Sequence, residues 1–183
     1  MKKYEFTGET KEIRLLFRTA TLHRIRATVA FGIVEVGDLG GWIEKEENLS
    51  HEGKAWVCGD AKVLGNAEVC GDAKVWGNAE VCGDAKVWGN AEVWGNAEVF
   101  SASHVLVIGA IGSRNDFTTF YRDKDNEITV KCGCFLGKID RFLEKVTQTH
   151  GDSKYALVYR AAVEVAKLQI DLSGEEPKDA DEE

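Results

Sequence analysis

Residues 57–98 have the sequence VCGDAK-VLGNAE-VCGDAK-VWGNAE-VCGDAK-VWGNAE-VWGNAE, which is seven consecutive units of the form V-x-G-[DN]-A-[KE]. A fixed short period predicts a protein of stacked coils, in which each unit buries its apolar face against its neighbours. In Ala-Lys-Val or Ala-Glu-Val, strand alternation sends Ala and Val to one face and the charged residue to the other. Gly followed by Asp or Asn suits a corner, because both tolerate left-handed backbone angles.

The hexads resemble the hexapeptide-repeat, left-handed parallel β-helix family. In that family the first-position valine and fifth-position alanine face inward, and the Gly-[DN] pair forms the corner. The resemblance implies three hexads per triangular coil, about three coils here, and a homotrimer around a threefold axis. The inward positions extend to Leu49 and Ala55 before the clean units and to Val99 and Val105 after them. We therefore predict that the repeat covers residues 45–110.

The charges alternate with a period of twelve residues, whereas the implied coil has eighteen. One coil along, opposite charges then meet in three columns: Lys62 with Glu80, Glu68 with Lys86, and Lys74 with Glu92. Each exposed pair contributes at most about 1 kcal/mol. Together the pairs favour this register over a slip by one hexad, which would stack like charges.

The second hexad position points outward and yet is apolar in every unit. In the coil register these residues form three columns, which are Cys58/Trp76/Trp94, Leu64/Cys82/Phe100 and Cys70/Trp88/Leu106. A small monomer does not leave three apolar stripes in water. We expect the N-terminal segment to cover one column and neighbouring subunits to meet the others.

The flanks of the repeat lose its period. Alternation in LHRIRA at 22–27 predicts strands before the repeat, and three strands are predicted after it, at 105–108, 117–122 and 127–135. Two amphipathic helices follow, separated by Gly151. The predicted fold is mainly β. It comprises an N-terminal β segment (1–44), the β-helix (45–110), an α+β cap of three strands and two helices (111–173) and an acidic disordered tail (174–183).

Composition and charge exclude several classes of protein. The chain of 183 residues is 44% hydrophobic and 30% charged, and its apolar runs are too short for a membrane span. The last ten residues hold six carboxylates and one lysine, which is −5 of the net charge of −8, and no broad basic surface for a nucleic-acid polymer is expected. The five cysteines are predicted to be reduced thiols in a cytoplasm, because no export signal precedes them. We predict no metal and no cofactor.

The candidate binding site lies in the C-terminal unit. The loop GAIGSRND at 109–116 follows an apolar strand, and its backbone donors and Arg114 are suited to an anionic group. A tight loop with a surface arginine explains the same residues equally well. The predicted ligand-binding residues are Arg114, Asn115, Thr118, Thr119, Tyr121, Cys134 and His150.

A catalytic alternative uses the same region. His150 with Cys132 or Cys134 would supply a base and a nucleophile if the three residues met. The simpler interpretation is that both thiols belong to the core. A histidine at a helix end is also favoured by the helix dipole alone. No catalytic residue is therefore assigned, and His150 is the candidate if the protein is an enzyme.

Motifs outside the hexads resemble, over nearly the full length, a set of uncharacterised proteins carried by bacteriophages and prophages. These motifs are LHRIRA (22–27), GDLGGWIE (37–44), ENLS (47–50), GSRND (112–116), FTTFY (117–121) and KCGCF (131–135). The resemblance implies a bacterial host cytoplasm and ligand binding at the chain ends or subunit junctions. The favoured hypothesis is a non-enzymatic homo-oligomeric protein that sequesters a small anionic nucleotide-type immune signal. The alternatives are a structural scaffold and an enzyme, either a hexapeptide-type acyltransferase or a cyclic-nucleotide hydrolase.

Overall fold

The structure, a computed structural model, describes residues 2–15 and 18–173. It shows an N-terminal strand region, a β-solenoid of about three turns and a C-terminal cap of strands and two helices. Within these described residues, no helix is long and apolar enough to cross a membrane. The acidic tail predicted at 174–183 lies outside the described residues.

The solenoid consists of short parallel strands that repeat every eighteen residues. Trp56 pairs with Lys74, which pairs with Glu92, and the other sides of the triangle follow the same step. This confirms three hexads per coil. The strands are β4 (Trp56–Val57), β5 (Lys62–Val63), β6 (Glu68–Val69), β7 (Lys74–Val75), β8 (Glu80–Val81), β9 (Lys86–Val87), β10 (Glu92–Val93) and β11 (Glu98–Val99).

The solenoid core is made of the first-position valines and fifth-position alanines. From Ala55 to Val99 each of these side chains is at most 1% exposed. Each outward charged residue lies between an inward alanine and an inward valine. The backbone along this stretch forms hydrogen bonds with the next coil. Lys62 N, for example, donates to the carbonyl of Ala79 at 2.9 Å. The predicted inward and outward assignment of the hexad is thereby confirmed.

The three predicted charge columns are present. The ammonium of Lys62 lies 3.1 Å from Glu80, that of Lys74 lies 3.0 Å from Glu92, and that of Lys86 lies 4.0 Å from Glu68. All six side chains keep partial contact with solvent. The pairs therefore contribute chiefly to the choice of register rather than to the bulk of the stability.

An N-terminal hairpin covers one of the apolar columns. Strands β1 (Tyr4–Arg14) and β2 (Thr19–Ala27) are antiparallel, and β3 (Leu39–Ile43) joins β2 to the solenoid strand β5. A cluster of Ala20, Leu22, Trp42, Leu64 and Cys82 forms beneath the hairpin, with Phe100 packed against it. The expectation that the N-terminal segment covers one column is confirmed for Leu64/Cys82/Phe100.

A second column stays open in the single chain. Trp88 is 51% exposed, and Lys86 lies over its ring at 5.2 Å from the centroid. Cys70, one coil before it, is partly exposed. The face formed by β6 and β9 therefore presents a large aromatic side chain to solvent.

The C-terminal cap has four strands where the sequence predicted three. They are β12 (Val105–Ile111), β13 (Asp116–Arg122), β14 (Ile128–Cys132) and β15 (Phe135–Lys138), and they form one antiparallel sheet in chain order. The predicted third strand is divided because Gly133 adopts a φ of +56° and the chain reverses there. Cys134 consequently lies in the turn, not on the strand face of Cys132.

The cap also begins earlier than predicted. The sequence predicts residues 105–110 as part of the repeat, but β12 pairs antiparallel with β13 and belongs to the cap sheet. The helices α1 (Ile139–His150) and α2 (Lys154–Gln169) pack their apolar faces on this sheet, and Gly151 ends α1 as expected.

Tyr121 attaches the cap to the last coil. Its buried ring joins the solenoid core, and its hydroxyl donates to the Trp94 carbonyl at 3.0 Å. The same oxygen accepts from the Trp94 N–H at 3.3 Å. Beside it, Asp123 forms a β-bridge with Ala97. These contacts cover the otherwise open end of the solenoid backbone.

We predict that changing Lys62, Lys74 and Lys86 together to Glu lowers the melting temperature, because all three columns would then stack like charges. With at most about 1 kcal/mol per exposed pair, and several degrees per kcal/mol for a chain of this size, the fall should reach several degrees. Thermal unfolding followed by circular dichroism measures it.

The matched control changes the same lysines to Gln, which removes the attraction without adding repulsion. Its melting temperature should lie between those of the wild type and the Glu variant. The differences among the three melting temperatures should become smaller in high salt, because salt screens the exposed charges. Equal melting temperatures for all three proteins would show that the columns do not select the register.

Candidate functional site

A cavity of about 680 Å³ lies where one solenoid face meets the two non-repeating ends. Its floor is the outward face of β7 and β10, formed by Asp72, Lys74, Trp76, Asn90, Glu92 and Trp94. The N-terminal wall is formed by Gly32, Ile33 and Lys54, and the C-terminal wall by Arg114, Asp116, Phe117, Thr119, Lys131 and Gly133. The volume falls within the range of about 300–1,000 Å³ that is usual for small-molecule sites.

Two stacked indoles form the aromatic part of the floor. Trp76 and Trp94 are eighteen residues apart, so the coil places them one above the other, with ring centroids 5.2 Å apart and an interplanar angle of 7°. The ammonium of Lys131 lies over Trp94, 4.6 Å from its ring centroid. The floor therefore combines flat apolar surface with a cation held against it.

Glu92 is held between two lysines. Its Oε1 accepts from Lys74 Nζ at 3.0 Å, and its Oε2 lies 3.0 Å from Lys131 Nζ. Burial acts to raise the pKa of Glu92, but the hydrogen bonds from the two ammonium groups outweigh it and hold the pKa below its usual range. Lys131 is buried and also donates to the Gly133 carbonyl. The two lysines and one carboxylate leave one positive charge on this part of the cavity.

Arg114 forms the cationic part of the C-terminal wall. It is exposed, and it makes no hydrogen bond or ion pair with any residue in the described part of the chain. Its guanidinium lies against Gly133, where an added Cβ would be 2.5 Å from Nη1. A side chain at position 133 would force the guanidinium to move from this position. Arg114 is thus placed at the cavity with its donors unused.

A buried tyrosine holds the loop that carries Arg114. Burial of Tyr159 raises the pKa of its phenol, and the nearby Cys132 thiol raises it further, whereas Ser113 and Arg114 act to lower it. Gly112 has a φ of +70°, and a Cβ there would come within 2.0 Å of the Tyr159 oxygen. The loop therefore rests directly on helix α2.

The predicted site residues divide between the two faces of the sheet. Arg114 and Thr119 line the cavity, and the Thr119 hydroxyl accepts from the Glu92 N–H at 3.0 Å. Asn115 is exposed in the turn beside Arg114, with a φ of +51°, but does not line the cavity. Thr118 points the other way, is buried, and donates to Cys132 Sγ at 3.3 Å. Alternation along β13 explains the difference between the two threonines.

Three further predicted residues have other surroundings. Tyr121 bonds to the solenoid backbone and is part of the core. Cys134 is exposed in the β14–β15 turn. The His150 ring stacks on Tyr159, with centroids 5.8 Å apart. Among the described residues, the ring contacts of His150 are with Tyr155 and Tyr159, and the hydrogen bond to the Cys132 thiol comes from Thr118.

Sequence reasoning missed most of the cavity floor. The coil register places Trp76 and Trp94 in one column, but outward apolar side chains predict a packing surface for an oligomer. The charges of Lys74 and Glu92 predict only that the two residues help to select the register. Nothing in the sequence signalled that Lys131 would join them, because that contact depends on how the cap sits on the last coil. Among the described residues, no group of three His, Cys, Asp or Glu is placed to hold a metal.

Comparison of the chain with protein-family models and with curated proteins finds no match.

We predict that Lys131 and Glu92 are energetically coupled more strongly than an exposed ladder pair. Lys131→Met, Glu92→Gln and the double variant form a cycle measured by urea unfolding. The side chain of Lys131 is 9% exposed and that of Glu92 27%, so a coupling of about 1–2 kcal/mol is expected. The cycle for Lys62 and Glu80, which lie 3.1 Å apart at 28% exposure each, is the control and should give less.

The pH dependence follows from the lowered pKa of Glu92. The stabilisation by ionised Glu92 is present above its ordinary value of 4.5 and is lost as the pH falls through the lower pKa of the folded protein. The stability difference between wild type and Glu92→Gln should therefore shrink below pH 4.5.

Equal coupling in the two double-mutant cycles would contradict the assignment of Lys131 as a buried partner of Glu92.

Proposed function

We propose that the protein is a non-enzymatic, homo-oligomeric binding protein that sequesters a small anionic ligand of the nucleotide type. The observation that carries the proposal is the cavity, in which stacked indoles lie beside Lys131 and beside Arg114, which has no ion pair among the described residues. A nucleotide combines a flat ring with a phosphate. Base–aromatic contacts contribute about 1–3 kcal/mol per base, and arginine is the side chain best suited to bind phosphate in two-point fashion.

Sequestration is favoured over catalysis by the position of the candidate catalytic groups. His150 and Cys132 belong to the helix-facing side of the cap, whereas the cavity lies on the solenoid-facing side. Together with the resemblance to bacteriophage proteins, this supports a counter-defence role in the cytoplasm of a host bacterium. There the protein would lower the free concentration of a nucleotide immune signal.

We expect calorimetry to detect binding of at least one compound in a panel of adenosine monophosphate, a cyclic dinucleotide and ADP-ribose, and no binding of uncharged adenosine. Arg114→Gln should weaken binding about tenfold or more, because it removes a charge-assisted contact. Arg141→Gln is the matched control, since Arg141 is 79% exposed on helix α1, away from the cavity.

A second pair of variants tests the placement of Arg114 rather than its charge. Gly133→Ala puts a methyl where the guanidinium lies and should also weaken binding. Gly151→Ala has a nearly equal φ, +54° against +56°, but its added methyl meets nothing, so binding should be kept. No binding by any panel member would end the proposal. Turnover of a bound nucleotide would favour the enzyme alternative.

The homo-oligomer is supported by the open column. The exposed Trp88 on the β6–β9 face is the kind of aromatic anchor that interfaces bury. We predict that the wild type sediments as a trimer and that Trp88→Ser shifts it towards the monomer at micromolar concentration. Leu168→Ser, on a residue of helix α2 that is 90% exposed, serves as the control. A monomeric wild type, or a trimer unaffected by Trp88→Ser, would contradict this assignment.

A further inference from the structure

Lys54 departs from the pattern of the column in which it stands. The Gly-[DN] corner places Asp72 and Asn90 one and two coils beyond it, so the repeat would put a carboxylate or amide at position 54. Lys54 instead brings an ammonium group to the N-terminal wall of the cavity. Its stem packs along Gly32, whose Cβ would lie 3.7 Å from the Lys54 Cδ. The contact with Gly32 therefore orients the Lys54 side chain along the N-terminal wall.

The charge of Lys54 is only loosely paired. Its Nζ lies 3.9 Å from Asp72 Oδ2, longer than a hydrogen bond, and the side chain is 62% exposed. The other oxygen of Asp72 accepts from the backbone N–H of Lys54 at 3.1 Å. The ammonium thus keeps its donors available at the cavity edge.

The opposite wall has a similar arrangement. Arg114 is unpaired among the described residues, and the nearby Asp116 accepts from the backbone N–H of Phe117 at 2.8 Å. Between the walls, Lys74 and Lys131 share Glu92. The cavity therefore has a loosely paired ammonium at the Lys54 end, a guanidinium without an ion pair among the described residues at the Arg114 end, and one net positive charge between them. Two coils separate the level of Lys54 from that of Asn90, which makes the ends about 10 Å or more apart.

We infer that the cavity takes a ligand with anionic groups at both ends, in which one group contacts Arg114 and the other contacts Lys54. The inference rests on the proposed function, because it assumes that a nucleotide-type ligand lies along the floor. The part between the two anionic groups is a nucleoside-sized segment, whose ring lies at the indoles of Trp76 and Trp94.

The experiment compares adenosine 3′,5′-bisphosphate with the 5′- and 3′-monophosphates by calorimetry. The wild type should bind the bisphosphate roughly tenfold more tightly than either monophosphate, because a second charge-assisted contact is made. Lys54→Ala should erase this preference, because the affinity for the bisphosphate falls to the level of the monophosphates. Arg114→Gln should weaken all three compounds.

Lys86→Ala is the matched control. Lys86 also lies on the solenoid, is partly exposed, and faces a carboxylate at 4.0 Å, but it does not line the cavity. Its replacement should keep the preference for the bisphosphate. Circular dichroism verifies that each variant is folded.

Three outcomes overturn the inference while the proposed function stands. They are equal affinity of the wild type for the bisphosphate and a monophosphate, a preference that survives Lys54→Ala, and a preference that Lys86→Ala also removes. If no nucleotide in either panel binds, the proposed function and the inference fall together. A preference lost in Lys54→Ala alone supports the two-ended ligand.

Discussion

The stacking of each hexad on the hexad eighteen residues later is the constraint on which the rest of the structure depends. It arises because the inward valines and alanines are small and uniform, so successive coils close over them without gaps. The backbone of one coil then bonds to the next at regular spacing. Because the stacking interval is eighteen residues, outward side chains that are eighteen residues apart lie one above the other in a column. The residue types at these positions then determine the chemistry of the column.

The columns explain both the choice of register and the cavity floor. A charge period of twelve on a coil of eighteen stacks Lys on Glu, and an apolar second position stacks Trp76 on Trp94. The alternation ends with two successive Gly-Asn-Ala-Glu units, which leaves Glu92 and Glu98 on the last rung without a further solenoid lysine. The cap supplies cations there. Lys131 pairs with Glu92. Burial raises the pKa of Glu98, and the Arg122 guanidinium opposes this effect only in part.

The sequence was sufficient for features that depend on periodicity and insufficient for those that depend on docking. The resemblance to the hexapeptide-repeat family implied the coil length, and with that length the inward residues and the charge columns follow from counting residues. That the N-terminal segment covers one apolar column was expected, but which column it covers was not. The opposite directions of Thr118 and Thr119 also follow from strand alternation, although the two were predicted to act together. The contact of Lys131 with Trp94 has no sequence signal, because it exists only where the cap sheet sits on the last coil through Tyr121. The turn at Gly133 was hidden because KCGCF alternates like a continuous strand.

A solenoid face by itself is too open to enclose a ligand, since its columns form a flat surface. The walls have to come from segments that leave the repeat, which here are the Gly32–Ile33 turn on one side and the loop with Arg114 on the other. The repeat supplies the floor, and the number of coils sets the distance between the two walls in steps of about 4.8 Å per coil. The loop after the last coil supplies Arg114, which makes no ion pair within the described part of the chain. A change in repeat number would therefore alter the length of ligand that fits without altering the groups that contact it. A change in the ends would alter the recognised groups without altering the length.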